Sequence, residues 1–486
     1  MPHSVPRARP LARRARGRIA ALLALCLAPA PALAQIDPVA RGMAGAAQST
    51  AGRFPLTHTP RIAFACDSWS DFNRNVSAAP TTVMWTSFGY INSLRAHYGK
   101  RFYTDPSLEF GIAGQTTSYY LTTEVPQIIA AKPDILIVYC GTNDDNTYPV
   151  LTTSVANMQK ADAQLSAAGI AVIHVGLVAQ GSWNGAKKQW MAEFNRQMWL
   201  QSLNPALNVR YVDLNPTMSD YSTGLVVSGL LVGDNVHPSV LGGIAIAAAI
   251  EPVLDQLLPA IPDLQQLTDD EAYDPTLNPS GNMLLNGMMT GTAGSALSPA
   301  AGAVATDWQC HFSNYSAPTT LTMACSKGTD SSYTNESTQV ITIGGTADGD
   351  RIRFEAMGTS GALWTMPALA AGAAVYGECK ISGTGLTNIA SIQLLLVITV
   401  NGTTYTYWDG EYQNTGSSPG YSPGALPSTY SALRITPALT LPTGTVTSTR
   451  FYLEIQPMTS STATSGAVTV EQCAVRQAGL GHVAQQ

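Results

Sequence analysis

Between about Arg61 and Leu258 the chain alternates two kinds of apolar pattern. Short runs rich in β-branched residues occur at Ile62 to Ala65, Leu108 to Ala113, Asp134 to Tyr139, Ala171 to Val178 and Val209 to Leu214. Between them Met84 to Tyr98, Thr122 to Lys132, Leu151 to Ala168 and Lys187 to Ser202 have helical character, and Val240 to Leu258 closes the series. Strands each followed by a helix predict an α/β region, residues 61–258, built on a doubly wound, parallel five-stranded sheet covered on both faces. Ligands of such sheets bind beyond the carboxyl ends of the strands, so side chains there are the first candidates for chemistry.

After Leu258 the pattern changes. Pro259-Ala260-Ile261-Pro262, the acidic patch Asp269-Asp270-Glu271 and Asn278-Pro279-Ser280-Gly281 mark residues 259–281 as a linker. From Asn282 onward Gly, Ser and Thr dominate, and alternating runs appear at Gln339 to Ile343, Arg351 to Glu355, Ile392 to Val400, Thr403 to Trp408 and Arg450 to Ile455. Turn residues separate them and helical periodicity is absent, which predicts an all-β jelly-roll sandwich over residues 282–486. Tyr405, Tyr407, Trp408, Tyr412 and Tyr421 lie near Gly/Pro-rich turns of this region. Aromatic faces stack on sugar rings, so a carbohydrate-binding module is one reading. The other is that Tyr405 and Tyr407, on one face of their strand, are core. Asp348-Gly349-Asp350 reads as an acidic turn or as calcium ligands.

Length and composition narrow the classes. The 486 residues imply two or three domains of about 100 to 200 residues each. A hydrophobic share of 45% excludes wholesale disorder. With 26 basic against 32 acidic side chains the net charge is -6, so no cationic excess exists to neutralise phosphates, which argues against nucleic acid as the main partner. Six Arg between Arg7 and Arg18, the apolar run Ile19 to Ala30 and then Ala32-Leu33-Ala34 read as a secretory signal peptide, 1–34, followed by an arm, 35–60. The run is too short to span a bilayer and no later one is long enough, so the expectation is a secreted or periplasmic protein without a transmembrane anchor. Cys26 could be a lipidation site, but Leu25 is a poor residue before one.

Loss of the leader removes Cys26 and leaves Cys66, Cys140, Cys310, Cys325, Cys379 and Cys473. An even number in an oxidising compartment permits disulfides. Two lie in the first half of the mature chain and four in the second, which favours pairing within each half without fixing it; Cys310–Cys325 and Cys379–Cys473 are the working pairs of the second half. Without a Cys-x-x-Cys or His-rich cluster, no structural zinc is expected.

Four short motifs follow predicted strands or open helices. Cys66-Asp67-Ser68-Trp69-Ser70 follows the first strand and exposes a serine at a strand-to-helix turn, although Asp67 or Ser68 could equally cap the helix. Gly111-Ile112-Ala113-Gly114 ends the second strand, where glycine allows close backbone approach to a ligand or simply a turn. Gly141-Thr142-Asn143-Asp144 follows the third strand; Asn143 can offer its amide to developing negative charge or form a capping turn. Asp234-Asn235-Val236-His237-Pro238 precedes the last helix, and three-residue spacing lets a carboxylate reach the imidazole, with a capping aspartate beside an exposed histidine as the alternative.

In this order the four motifs resemble those of the SGNH, or GDSL-type, hydrolase family, over roughly residues 61 to 258. The resemblance implies a flavodoxin-like α/β fold and a serine esterase. Ser68 would be the nucleophile, His237 its base and Asp234 the orienting acid, with Ser68, Gly114 and Asn143 forming the oxyanion hole. It implies an acyl-enzyme intermediate and no metal or organic cofactor. His58 and His97 compete with His237 for the base, but neither follows an acid at suitable spacing. Cys66 stands where the family has glycine, and Cys140 holds the matching place before the Asn143 block. Because those strands are neighbours in the family's sheet, the resemblance suggests a Cys66–Cys140 disulfide beneath the site, against two packed thiols. The reaction expected is deacetylation of a polysaccharide or other acylated carbohydrate, with polysaccharide binding through the C-terminal region. The alternatives are a lipase or polyester-type esterase on longer acyl chains, and an inactive hydrolase-fold adhesin or glycan-binding protein.

Overall fold

The computed structural model describes residues 59–71, 74–76, 82–85, 89–144, 151–181, 183–259, 271–313, 320–330, 336–347, 349–358, 361–410, 424–458 and 463–478. The expected leader, all but the end of the arm, Asp348, Tyr412 and Tyr421 lie outside these residues.

The α/β region runs β1 (Ile62–Cys66), α1 (Ser68–Asp71), β2 (Arg74–Val76), β3 (Thr82–Trp85), α2 (Tyr90–Tyr98), α3 (Thr117–Tyr119), a π-helical turn (Tyr120–Glu124), α4 (Val125–Ala131) and β4 (Ile135–Tyr139). It continues through α5 (Leu151–Ala167), β5 (Ala171–Val175), α6 (Gly185–Ser202), β6 (Val209–Val212), α7 (Asn215–Met218), β7 (Ser219–Asp220), β8 (Leu225–Val226) and α8 (Val240–Leu254). β1, β4, β5 and β6 form a parallel sheet in the order β1-β4-β5-β6. Every residue of β1, β4 and β5 is buried. That is why these strands read as unbroken apolar runs rather than alternating ones. Helix α5 turns Ser154, Val155, Met158, Ala161, Asp162 and Leu165 inward, the spacing of one helical face. Asn184 caps α6 by accepting from the Lys187 N–H at 3.0 Å, and Ser239 caps α8 by accepting from Gly242 at 3.1 Å.

The sheet has four full strands rather than five. Leu108 to Ala113 meets β1 through a single parallel bridge, Phe64 to Glu109, with bonds from Phe110 N–H to Phe64 O and Ile112 N–H to Cys66 O. The ladder stops because the next bond in the series would come from the Cys66 N–H, which the Glu124 carboxylate takes at 2.9 Å. The predicted helix from Met84 is likewise shortened. Met84 and Trp85 end strand β3, whose partners lie in the C-terminal region, and the helix starts at Tyr90.

That region contains β9 (Ala293–Ala296), β10 (Ala301–Gly302), β11 (Val304–Phe312), β12 (Leu321–Thr329), β13 (Ser337–Gly345), β14 (Ile352–Ala356) and β15 (Ala374–Thr387). β16 (Ile389–Val400), β17 (Thr403–Asp409), β18 (Thr429–Ile435), β19 (Leu439–Thr440), β20 (Val446–Pro457) and β21 (Ser465–Gln477) follow. One sheet is ordered β10-β12-β13-β21-β15-β18, with β19 on β15; the other is β2-β3-β17-β16-β20-β14-β11-β9. The apolar faces of both enclose one core that includes Trp308, Phe354, Leu394, Phe451 and Val470. Tyr407 is part of that core and Tyr405 packs against it, so the face they share is interior.

Cys379 and Cys473 stand opposite each other on β15 and β21 and are disulfide-bonded. Cys310 and Cys325, the other working pair, are not bonded. Both are buried thiols on β11 and β12, packed as small apolar groups, and burial together with Cys325 pushes the Cys310 thiol up. Asp350 spends one carboxylate oxygen on the Arg351 N–H and the Ser313 hydroxyl.

The two regions share a polar, buried junction at α2. Ala96 and Val240 of the α/β region sit in the sandwich core, and Arg95 ion-pairs with Asp409 at the end of β17. Asp409 also accepts from the Ile435 N–H at 3.1 Å and lies 3.8 Å from the Arg434 guanidinium. Asn92 donates to Gly410 O at 3.1 Å. Removing the carboxylate strips two buried guanidinium groups of their shared counter-charge. Asp409→Ala should therefore cost about 3–5 kcal/mol of stability, read as a lower urea midpoint monitored by tryptophan fluorescence.

Candidate active site

The first strand delivers the nucleophile candidate. Asp67, immediately after β1, is the cap of α1: its side chain accepts from the Trp69 N–H at 3.0 Å and its carbonyl from Ser70 and Asp71, each at 3.0 Å. Capping thus falls to Asp67, leaving the Ser68 hydroxyl for another partner. Trp69 stacks on Tyr139 with centroids 4.1 Å apart, and the Ser70 hydroxyl donates to Ala65 O at 3.0 Å, which fixes the short helix on the end of the sheet.

The partner of Ser68 is His237. Its Nε2 lies 2.8 Å from Ser68 Oγ and its Nδ1 2.6 Å from Asp234 Oδ2. The other oxygen of Asp234 accepts from the Val236 and His237 N–H groups at 2.8 and 3.0 Å, so one carboxylate both folds the loop and holds the ring. Burial alone would raise Asp234, but these hydrogen bonds outweigh it and hold its pKa below the ordinary carboxylate value. The loop is closed by Val232 N–H to His237 O and by Gly181 N–H to Asn235 O.

The oxyanion candidates converge on the same rim. Ile112 to Gln115 is a turn closed by Gln115 N–H to Ile112 O, and Gly114 takes φ 80° with no heavy atom within 4 Å of where a Cβ would stand. Asn143 Nδ2 donates to Gln115 O at 2.9 Å, which ties the third motif to the second. Asp144 accepts from the Thr117 N–H and hydroxyl and from Ser154, fastening the same turn from behind. Asp71, at the end of α1, holds the turn from the Ser68 side through the Ala113 N–H. Ser68 and Asp234 are thus joined through His237, and Gly114 and Asn143 are linked through Gln115.

Behind the rim lies a set of buried carboxyl groups that the sequence reading did not identify. Burial pushes Asp67 up to about 8, against the Trp69 N–H bond and with the help of Asp144. It pushes Glu124 up to about 9, against a bond from the Cys66 N–H at 2.9 Å and with the help of Glu109 and Asp67. Glu124 arrives from the π-helical turn, which swings its side chain under β1. The available signal was an acid within an otherwise inward helical face. Cys66 and Cys140 are joined, so the disulfide forms and the packed-thiol alternative does not.

The remaining described histidines are engaged elsewhere. His97 faces Glu251 at 3.6 Å, His174 contacts Asp162 at 2.9 Å and His311 contacts Glu355 at 3.0 Å. His58 lies outside the described residues.

Residues 67–243 match the GDSL-like Lipase/Acylhydrolase family. Among solved structures, a lipolytic protein of the G-D-S-L family from Desulfitobacterium hafniense DCB-2 aligns at 16% identity over 40% of this chain and 99% of its own, TM-score 0.32. Axe2, an acetylxylan esterase from Geobacillus stearothermophilus, aligns at 19% identity over 40% of this chain and 94% of its own, TM-score 0.32. TesA aligns at 15% identity over 40% and 97%, TM-score 0.30. No curated protein matches the sequence.

The carboxyl set carries a pH signature. Glu124 rises from 4.5 to about 9 on folding, so between those values the folded chain holds a proton that the unfolded chain has released. Stability from this group is therefore largest below pH 4.5 and declines as pH rises toward about 9. Thermal melts of the wild type should fall from pH 5 to pH 8, and Glu124→Gln, which keeps an acceptor for Cys66, should flatten that fall. An unchanged slope in Glu124→Gln would place the proton elsewhere.

Proposed function

With residues 67–243 a GDSL-like lipase/acylhydrolase domain and the chain on that account a carboxylic ester hydrolase, we propose that it is an exported serine esterase removing acetyl groups from a polysaccharide or other acylated carbohydrate. The observation that carries the mechanism is the chain of contacts from Ser68 Oγ to His237 Nε2, 2.8 Å, and from His237 Nδ1 to Asp234, 2.6 Å. His237 takes the hydroxyl proton as Ser68 attacks the ester carbonyl, and Asp234 stabilises the imidazolium. The oxyanion is met by the N–H groups of Ser68 and Gly114 and by the second N–H of the Asn143 amide, whose first goes to Gln115 O. The alcohol leaves with the proton from His237, and water then attacks the acyl-enzyme with His237 again as base. The ionised state of Asp234 supports this division of roles.

The carbohydrate reading is supported by the short chain path from Ser68 to the sandwich. β2 begins three residues after α1, and through β3 it extends the same sheet as β17 and β16. A polymer lying along that sheet would be held beside the rim that carries Ser68, raising its local concentration there. The export reading rests on the arginine-led apolar leader. A second reading, hydrolysis of longer acyl chains, is favoured by one feature: Ile112, on the turn before Gly114, is 41% exposed.

Ser68→Ala should lower p-nitrophenyl acetate hydrolysis at least about 10³-fold without changing the circular dichroism spectrum. Asn143→Ala should lower kcat about 10²- to 10³-fold. Acetate release from acetylated polysaccharides, set against esters of two to twelve carbons, decides between the readings; a rate that climbs with chain length would favour the second.

A further inference from the structure

Cys66 has a backbone conformation that an L-residue seldom adopts. It is the last residue of β1, fully buried, and its φ is 97°, a region that glycine enters freely and a Cβ disfavours. Four connections meet at this residue. Its chain leads through Asp67 to Ser68, its N–H is taken by the Glu124 carboxyl at 2.9 Å, and its carbonyl accepts from Ile112, at the head of the turn that carries Gly114. Its sulfur is bonded to Cys140, three residues before Asn143.

Pairing of the strands does not require this bond. β1 and β4 are already joined in register from Ile62 and Ile135 to Cys66 and Tyr139. The disulfide begins where that ladder ends, and its distinctive position is the point at which the nucleophile turn and the Asn143 loop leave the sheet. Resting on the hydrolytic reading above, we propose that the Cys66–Cys140 disulfide is a positioning element for the reaction. It holds Cys66 at positive φ, the conformation from which Ser68 and the Ile112–Gly114 turn are presented together. A covalent tether here does what a glycine would do by lacking a Cβ. An ordinary crosslink would act differently, by restricting the unfolded chain, and would raise stability without touching kcat.

The test compares the wild type with Cys140→Ala and with the double variant Cys66→Gly/Cys140→Ala, measuring kcat, KM and melting midpoint on p-nitrophenyl acetate. Cys140→Ala leaves a side chain at residue 66 with nothing to hold it at positive φ. Its kcat should fall about tenfold with KM little changed. The double variant lacks the bond as well, and melts below the wild type, but its glycine regains the conformation and should restore kcat to within about twofold. Equal kcat in all three proteins, with lower midpoints, would reduce the disulfide to a stabilising crosslink. A double variant as slow as Cys140→Ala would also overturn the proposal. Independently of any activity, a crystal structure of Cys140→Ala that kept residue 66 at positive φ and the Ser68–His237 contact at its present length would overturn it, whereas failure of the wild type to hydrolyse esters would count against the hydrolytic reading alone.

Discussion

The parallel, in-register pairing of β1 with β4 is the constraint on which the rim depends. It brings the ends of the two strands to the same height, so the residues that follow them, Ser68 on one side and Asn143 on the other, leave the sheet side by side. The remaining contributions are loops fastened to that ledge. Asp71 and Asp144 grip the Gly114 turn from opposite sides, and Asp234 folds its own loop while holding His237. Each uses a carboxylate to satisfy backbone N–H groups that the sheet leaves unpaired at its edge. The loops are thus fixed mostly by carboxylate bonds to main-chain N–H groups, while the Trp69–Tyr139 stack seats the short helix on the sheet.

Much of this was legible from the sequence because parallel strands buried on both faces leave a strong trace. β4, β5 and β6 fall within the apolar runs and β1 overruns its own only by Cys66, and the four motifs lie at or beyond carboxyl ends. The fifth strand misled because its apolar letters are real but the Cys66 N–H that would extend its ladder on β1 is taken by Glu124, which sequence alone does not reveal. Met84 and Trp85 misled for another reason: the strand they complete pairs with Tyr407 and Trp408, far along the chain. In the C-terminal region β13, β14, β16, β17 and β20 were visible by alternation. β15 was not, because Gly377, Gly383 and Gly385 interrupt its pattern. The aromatic pair Tyr405 and Tyr407 shows the limit of composition, since a face rich in rings was as consistent with a core as with a sugar platform, and here it is core.

The carboxyl groups under the rim could not have been placed from sequence, since their importance lies in burial and not in identity. Asp67 and Glu124 are buried, and burial pushes both well above the ordinary carboxylate range, toward the protonated form. The molecule accepts the cost of that burial for two backbone bonds, to Trp69 and Cys66, that shape the turn carrying Ser68.

The junction between the regions has a consequence for synthesis. Strand β3 emerges early from the ribosome, yet the strand it pairs with, and the Gly410 carbonyl that Asn92 reaches across 318 positions, come only near the end of translation. Until then the edge of β3 away from β2 waits unpaired, an invitation to the wrong neighbour. Closure of the N-terminal half must therefore wait for the strands near residue 410, a long-range and slow step. A cell making this protein would need to shield that edge in the interval.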